Sequence, residues 1–246
     1  MKKQAIVMGM PSTISIVDND KKTAEIIQKV FNYFTYIDSI FSTYKPESEI
    51  TKINNKQLPI SEASPIVKKV FALCEQTKQE TNGYFNINHK GFIDPSGIVK
   101  GYAIHQGAEI LRKNGYKDFC VEIAGDIEVS GTNNGNPWRI GIENPFNRKE
   151  IIKIIALINK GIATSGNYIR GKHIYNPVTK KGTDEVISIS VIGPNAYEAD
   201  RFATAAFAIG IKGIEFIEKL KDFEAYMVTK NKQAYYTEGF EKFVVS

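Results

Sequence analysis

Four β-type segments follow one another through the middle of the chain: Val121–Ser130, Trp138–Glu143, Ile151–Ile158 and Ile187–Ile192. Several are parted only by turns. A turn joins antiparallel neighbours, because a parallel pair needs a crossover long enough to hold a helix. The spacing therefore weighs against a doubly wound parallel sheet. It predicts an α+β fold of mixed, mostly antiparallel sheets with packed helices.

Helical periodicity surrounds this block. From Lys21 to Phe41 the apolar residues Ile26, Ile27, Val30, Phe31, Phe34 and Ile37 recur at helical spacing. Further helices are expected over Ser48–Asn54, Ser64–Thr81, Gly101–Asn114, Asp200–Ile209 and Lys212–Leu220, with Asn82-Gly83 and Gly115 as stops. Ser12–Val17 alternates as a strand, and Phe223–Thr229 with Gln233–Thr237 reads as a terminal hairpin about Asn231. The 246 residues, 42% hydrophobic, suffice for a sizeable core. No repeat, low-complexity tract or linker divides them, so residues 1–246 are read as one domain.

Lys and Arg number 32 against 27 Asp and Glu, a net charge of +5. The cations are scattered rather than gathered in runs, which speaks against nucleic acid and suits an anionic small molecule. Cys74 and Cys120 lack CxxC spacing and read as buried thiols. After Lys2 and Lys3 the apolar run Ala5–Met8 is too short for a signal segment, and no stretch approaches a membrane span. The chain as written thus reads as cytoplasmic; removal of a leader would make it exported or membrane-anchored.

Four places combine glycine with polar residues in ways that a plain core does not need. In GFIDPSGIVKGYAIH, Asp94-Pro95-Ser96-Gly97 forms a turn that leads through Lys100-Gly101 into a helix. Glycine backbone, a helix N-terminus and a lysine together favour an anion, although an ordinary helix start looks the same. In VEIAGDIEVSG, Gly125 within a strand pattern marks either a bulge or a close ligand approach. The stretch Gly161–Gly182 supplies Thr164, Ser165 and Asn167 on a flexible backbone, and His173 as a candidate acid or base. Last, YEADRFATAAFAIG places Asp200 and Thr204 one helical turn apart, on one face. Asp200 is either the helix N-cap or, with Thr204, part of a hard-cation site. Magnesium takes few carboxylates, some neutral oxygens and a substrate phosphate.

The ordered set MGM (8–10), FSTYKPESEITKIN (41–54), GYFNIN (83–88), DPSGIVKGYA (94–103), AGDI (124–127), ATSGNY (163–168), HIYNP (173–177) and ADRFATA (199–205) resembles the ApbE family, the FAD:protein FMN transferases. The resemblance implies an enzyme that binds FAD with Mg2+ and transfers FMN to a threonine hydroxyl of an acceptor protein, releasing AMP. The implied acceptor motif is Asp-x-x-Thr-Gly-Ala-Ser/Thr. The metal would be held by the Asp200 and Thr204 side chains and the Gly97 carbonyl. FAD contacts would fall on Met8, Tyr44, Tyr84, Phe85, Asn86, Asp94, Lys100 and the backbone near Ile174. His173 matches the residue that activates the acceptor threonine, and Asp200 completes the catalytic pair.

This chain departs from the family pattern at four positions. Asn86 and Asn176 replace aspartates, Met10 replaces threonine and Ala124 replaces glycine. Two other activities stay open on the residues alone: hydrolysis of FAD to FMN and AMP, and a carrier that holds FAD without turnover.

Overall fold

The computed structural model describes residues 1–167, 176–178 and 185–245. The chain begins with β1 (Lys2–Val7) and β2 (Met10–Ile16), then α1 (Thr23–Phe41), α2 (Glu49–Asn54) and α3 (Pro65–Glu80). A small hairpin, β3 (Asn88–His89) and β4 (Phe92–Ile93), leads into α4 (Ser96–Lys113). Next come β5 (Phe119–Ile123), β6 (Asp126–Ser130), β7 (Trp138–Asn144), β8 (Asn147–Leu157), β9 (Lys160–Gly166) and β10 (Val186–Gly193). The helices α5 (Ala196–Ile209) and α6 (Gly213–Glu218) precede a closing hairpin of β11 (Glu224–Thr229) and β12 (Ala234–Tyr236).

Among the described residues, eight strands form one sheet in the order β1-β2-β5-β6-β9-β10-β11-β12. Every neighbouring pair in it is antiparallel. The first and last strands of the chain are thus opposite edges of one sheet. A second hairpin, β7–β8, pairs separately. The α+β expectation of mostly antiparallel sheets and packed helices matches this architecture.

Side-chain alternation sorts the large sheet into two faces. Ile14, Phe119, Val121 and Ile123 join the buried faces of α1, α3 and α4 in one core cluster. Ala163, Ile189, Val191 and Met227 pack with α5 and α6 in another. On the opposite face Ile127, Val129, Ile162 and Tyr226 meet Trp138, Ile140, Ile155 and Leu157 of the β7–β8 hairpin. Helices cover one side and the hairpin covers the other.

Four local expectations change. The strand pattern Val121–Ser130 is two strands, β5 and β6. Ile123 pairs with Asp126, so Ala124 and Gly125 form a two-residue turn, not a bulge. Both turn residues have positive φ, 49° and 88°, as the twist of a tight hairpin requires. The stretch around Thr164 and Ser165, expected as a flexible polar loop, is the central strand β9, with Ala163 fully buried against α5. Short side chains there make room for the helix above them. Finally, α4 starts at Ser96 rather than Gly101, and α5 at Ala196 rather than Asp200. The Asn195 side chain accepts the Glu198 N–H at 2.9 Å and is the cap of α5. The edge strand β1 carries no amphipathic signal because nearly all of it is exposed, Ile6 at 74%.

Candidate active site

The site begins where α4 and α5 touch. Their contact is unusually close because α4 has glycine at two successive contact positions. A Cβ on Gly101 would lie 2.5 Å from both the Ala196 carbonyl oxygen and the Asp200 Cβ. A Cβ on Gly97 would lie 2.9 Å from the Thr204 methyl group. With hydrogen in place of these methyl groups, polar atoms of the two helices meet directly. The Gly101 N–H donates to Asp200 Oδ2 at 2.7 Å. The Thr204 hydroxyl donates to the Gly97 carbonyl at 3.2 Å and lies 3.4 Å from Ser165 Oγ on β9. Asp200 is therefore not the helix cap; it stands in the second turn, 5% exposed, against α4.

These groups form one wall of a cavity of about 1130 Å³. The cavity curls around the ends of β5, β6 and β9. Gly97, Lys100, Asp200 and Thr204 line it from the helix layer, and Thr13, Cys120, Glu122, Thr164 and Ser190 line it from the opposite face of the sheet. Trp138 to Glu143 of β7 close it on the hairpin side. Its volume lies just above the usual range of small-molecule clefts, which leaves room for a large ligand. Burial pushes the Cys120 thiol up to about 12, so at neutral pH it supplies no thiolate. Burial also raises the Glu122 carboxyl, with Lys2 opposing and Glu143 adding to the shift.

Of the residues singled out in the sequence, Tyr84, Phe85, Asn86, Asp94, Gly97, Lys100, Asp200 and Thr204 all line this one cavity. Met8 and Tyr44 are not among its lining residues. Met8 has φ 53° in the β1–β2 turn, and Tyr44 is 93% exposed between α1 and α2. His173 and Ile174 lie outside the described residues. The Asp94 carboxylate accepts the Ser96 N–H at 2.9 Å and so starts α4. The side-chain oxygens of Asn86 and Asn176 accept backbone N–H groups two residues on, from Asn88 at 2.9 Å and Val178 at 3.0 Å. Aspartate would serve the same two turns, so these departures change charge and keep the local backbone.

Three residues outside the expected set of site residues hold the site together. Asp126, 1% exposed, accepts the Thr164 N–H at 3.0 Å and pairs with Lys100 Nζ at 2.8 Å. Glu128, also 1% exposed, accepts the Ala196 N–H at 3.0 Å and binds Arg112 at 2.8 Å and His105 at 3.1 Å. It ties the start of α5 to β6 and α4. Arg201 reaches from α5 to Glu80 and Thr77 on α3 while holding Glu198 at 2.6 Å. The only sequence signals for these roles were an acidic residue in a strand pattern and a charge within an apolar helix.

Chemically, the α4–α5 contact gathers one carboxylate, two hydroxyls and one backbone carbonyl. Among the described residues no three His, Cys, Asp or Glu side chains cluster. All these donors are hard oxygens with a single negative charge, a set that would suit magnesium better than zinc or copper and would need further oxygen ligands to complete an octahedron.

Fold and cleft together define an α+β protein with an oxygen-donor site at a helix–helix contact, opening on a cavity of cofactor size. The chain belongs to the ApbE family, whose model matches residues 8–92 and 88–227. It is 24% identical over 293 aligned positions to the FAD:protein FMN transferase of Escherichia coli K12, covering 92% of this chain and 84% of that one. The enzyme of the same name from Haemophilus influenzae is 31% identical over 165 positions, 62% of this chain and 47% of that one. Among solved structures, the ApbE protein of Thermotoga maritima superposes with a TM-score of 0.87 at 21% identity, over 100% of this chain and 99% of that one. The flavin transferase ApbE from Vibrio cholerae gives 0.84 at 22% identity, over 99% and 98%. At such identities these superpositions establish the fold. Among the described residues no helix is long and apolar enough to cross a membrane.

Proposed function

We propose that this chain, acting as one continuous domain, is a magnesium-dependent FAD:protein FMN transferase. The observation that carries the reading is the convergence of Asp200, Thr204, Ser165 and the Gly97 carbonyl on the wall of a cavity large enough for a dinucleotide. The names of the relatives supply the reaction class.

In the proposed reaction an acceptor threonine oxygen bonds to the FMN phosphorus. The bond from that phosphorus to the bridging oxygen breaks, AMP leaves with that oxygen, and the threonine proton passes to a base, the role proposed for His173. Magnesium, held by Asp200, Thr204 and the Gly97 carbonyl, would neutralise and orient the pyrophosphate. Lys100 adds a cation on the same wall, Tyr84 offers aromatic surface to the rings of the ligand, and the core residue Phe85 backs that wall. The acceptor motif Asp-x-x-Thr-Gly-Ala-Ser/Thr belongs to the same proposal.

One incubation tests it: protein, FAD, magnesium and a peptide carrying that motif, read by mass spectrometry and AMP release. Flavin on the peptide threonine with one AMP per transfer is the expected result. Free FMN and AMP with unmodified peptide would make the chain a hydrolase. Tight FAD binding without AMP would make it a carrier.

A further inference from the structure

We infer that Asp126 is a positioning residue, which fixes the Lys100 ammonium at the cavity wall for a phosphate-bearing substrate. The inference rests on the flavin-transferase reading of the same site. Asp126 opens β6 directly after the Ala124-Gly125 turn and is 1% exposed, too buried to meet a ligand itself. Its carboxylate joins two walls of the cavity: Oδ1 takes the Thr164 N–H of β9 at 3.0 Å, and Oδ2 stands 2.8 Å from Lys100 Nζ on α4. The Lys100 side chain keeps 20% exposure and lines the cavity. Its neighbour Gly101 holds Asp200 through the backbone, so the lysine and the oxygen-donor cluster share one turn of α4.

The physical effect is preorganisation. A lysine stem has many rotamers to lose, and its ammonium is a strongly hydrated point charge. Without the carboxylate it would lose this anchor and be held less narrowly before binding. Paired with a buried carboxylate, it waits at one place, and an arriving phosphate meets a cation already in position. Lys100 is the charge that keeps this wall from repelling a pyrophosphate, and so it and Asp126 act as a unit.

Asp126→Asn separates these roles. The asparagine oxygen still accepts the Thr164 N–H, while its amide N–H2 faces Lys100 where the carboxylate oxygen stood. The expected result is an FAD dissociation constant about tenfold higher by flavin fluorescence, with KM rising by a similar factor and kcat falling less. The melting temperature should stay within a few degrees of wild type. Lys100→Met should weaken FAD binding to a similar degree, and the double variant should be no weaker than the worse single variant. Unchanged FAD affinity in Asp126→Asn, or losses that multiply in the double variant, overturns the inference. If Asp126→Asn does not fold, Lys100→Met decides alone, since unchanged affinity there overturns it equally. Wild-type protein that binds FAD but releases no AMP overturns the transferase reading, and the affinity comparison still judges Asp126. Wild-type protein that does not bind FAD overturns both.

Discussion

Asp200 answers to one demand of folding and one of the proposed metal site, since a carboxylate in a buried helix must be paired and a hard-cation site would need a charge. One oxygen meets the first demand by taking the Gly101 N–H at 2.7 Å. Thr204 behaves in the same way, giving its proton to the Gly97 carbonyl and turning its oxygen toward Ser165. Asp200→Asn keeps an oxygen for Gly101 and removes the charge. Magnesium-dependent AMP release should then fall at least about a hundredfold, equivalent to about 2.7 kcal/mol of lost stabilisation. The thermal melt should move by only a few degrees. Turnover within tenfold of wild type would remove Asp200 from the proposed metal site. At Ala124 the residue scale shows a different compromise: the turn demands a left-handed backbone, φ 49°, at a position where this chain lacks the family's glycine.

At the scale of elements, the site is a consequence of how closely α4 and α5 approach. Gly101→Ala tests this directly. Its new methyl group would sit 2.5 Å from the Ala196 carbonyl, which is backbone and cannot rotate away. The helices must part, at a cost of about 1–3 kcal/mol, and the Gly101–Asp200 bond stretches with them. A lowered midpoint in urea together with reduced AMP release is the expected outcome. A variant as stable as wild type would show that the spacing is slack. The helix pair is also held from outside. Glu128 receives the first N–H of α5 and Arg201 fastens α5 to the end of α3, just before Tyr84 and Phe85 enter the cavity. Two walls of the cleft are thus tied to one helix.

For the whole molecule, Glu128 links stability to pH. Burial by itself would raise its carboxyl; hydrogen bonds from His105 and the Ala196 N–H, with the Arg112 charge, outweigh burial and hold it below its ordinary value of 4.5. A folded pKa below the unfolded one gives stability that is complete above about pH 4.5 and disappears as pH falls through the folded value. Glu128→Gln should therefore be less stable than wild type at pH 7. His105 and Arg112 are a quarter to a third exposed, so water screens the pair and keeps the difference modest. Melts between about pH 3 and 7 should show the two proteins converging at the acid end. Parallel curves would mean that Glu128 carries no net charge-dependent stabilisation.

Local periodicity was enough to read α1, α3 and the closing hairpin, because each repeats its apolar residues at a spacing set by its own geometry. Turn spacing was enough to exclude a parallel sheet, and the motifs marked most of the residues that line the cleft. Three features were legible only in the tertiary structure. The strand β9 looked like a loop because its small residues suit the helix above it, and that helix is distant in sequence. Asp126, Glu128 and Arg201 looked like ordinary charges because their partners stand 26, 16 and 121 positions away, respectively Lys100, Arg112 and Glu80. The start of α4 was placed late because Asp94-Pro95-Ser96-Gly97 read as a turn, whereas Ser96 and Gly97 already belong to the helix. Sequence alone determined most of the helices and several of the strands, since those preferences act within a few residues. Only the folded chain decided which charges are paired and where the cavity lies, because both depend on how closely two helices and the ends of a sheet approach one another.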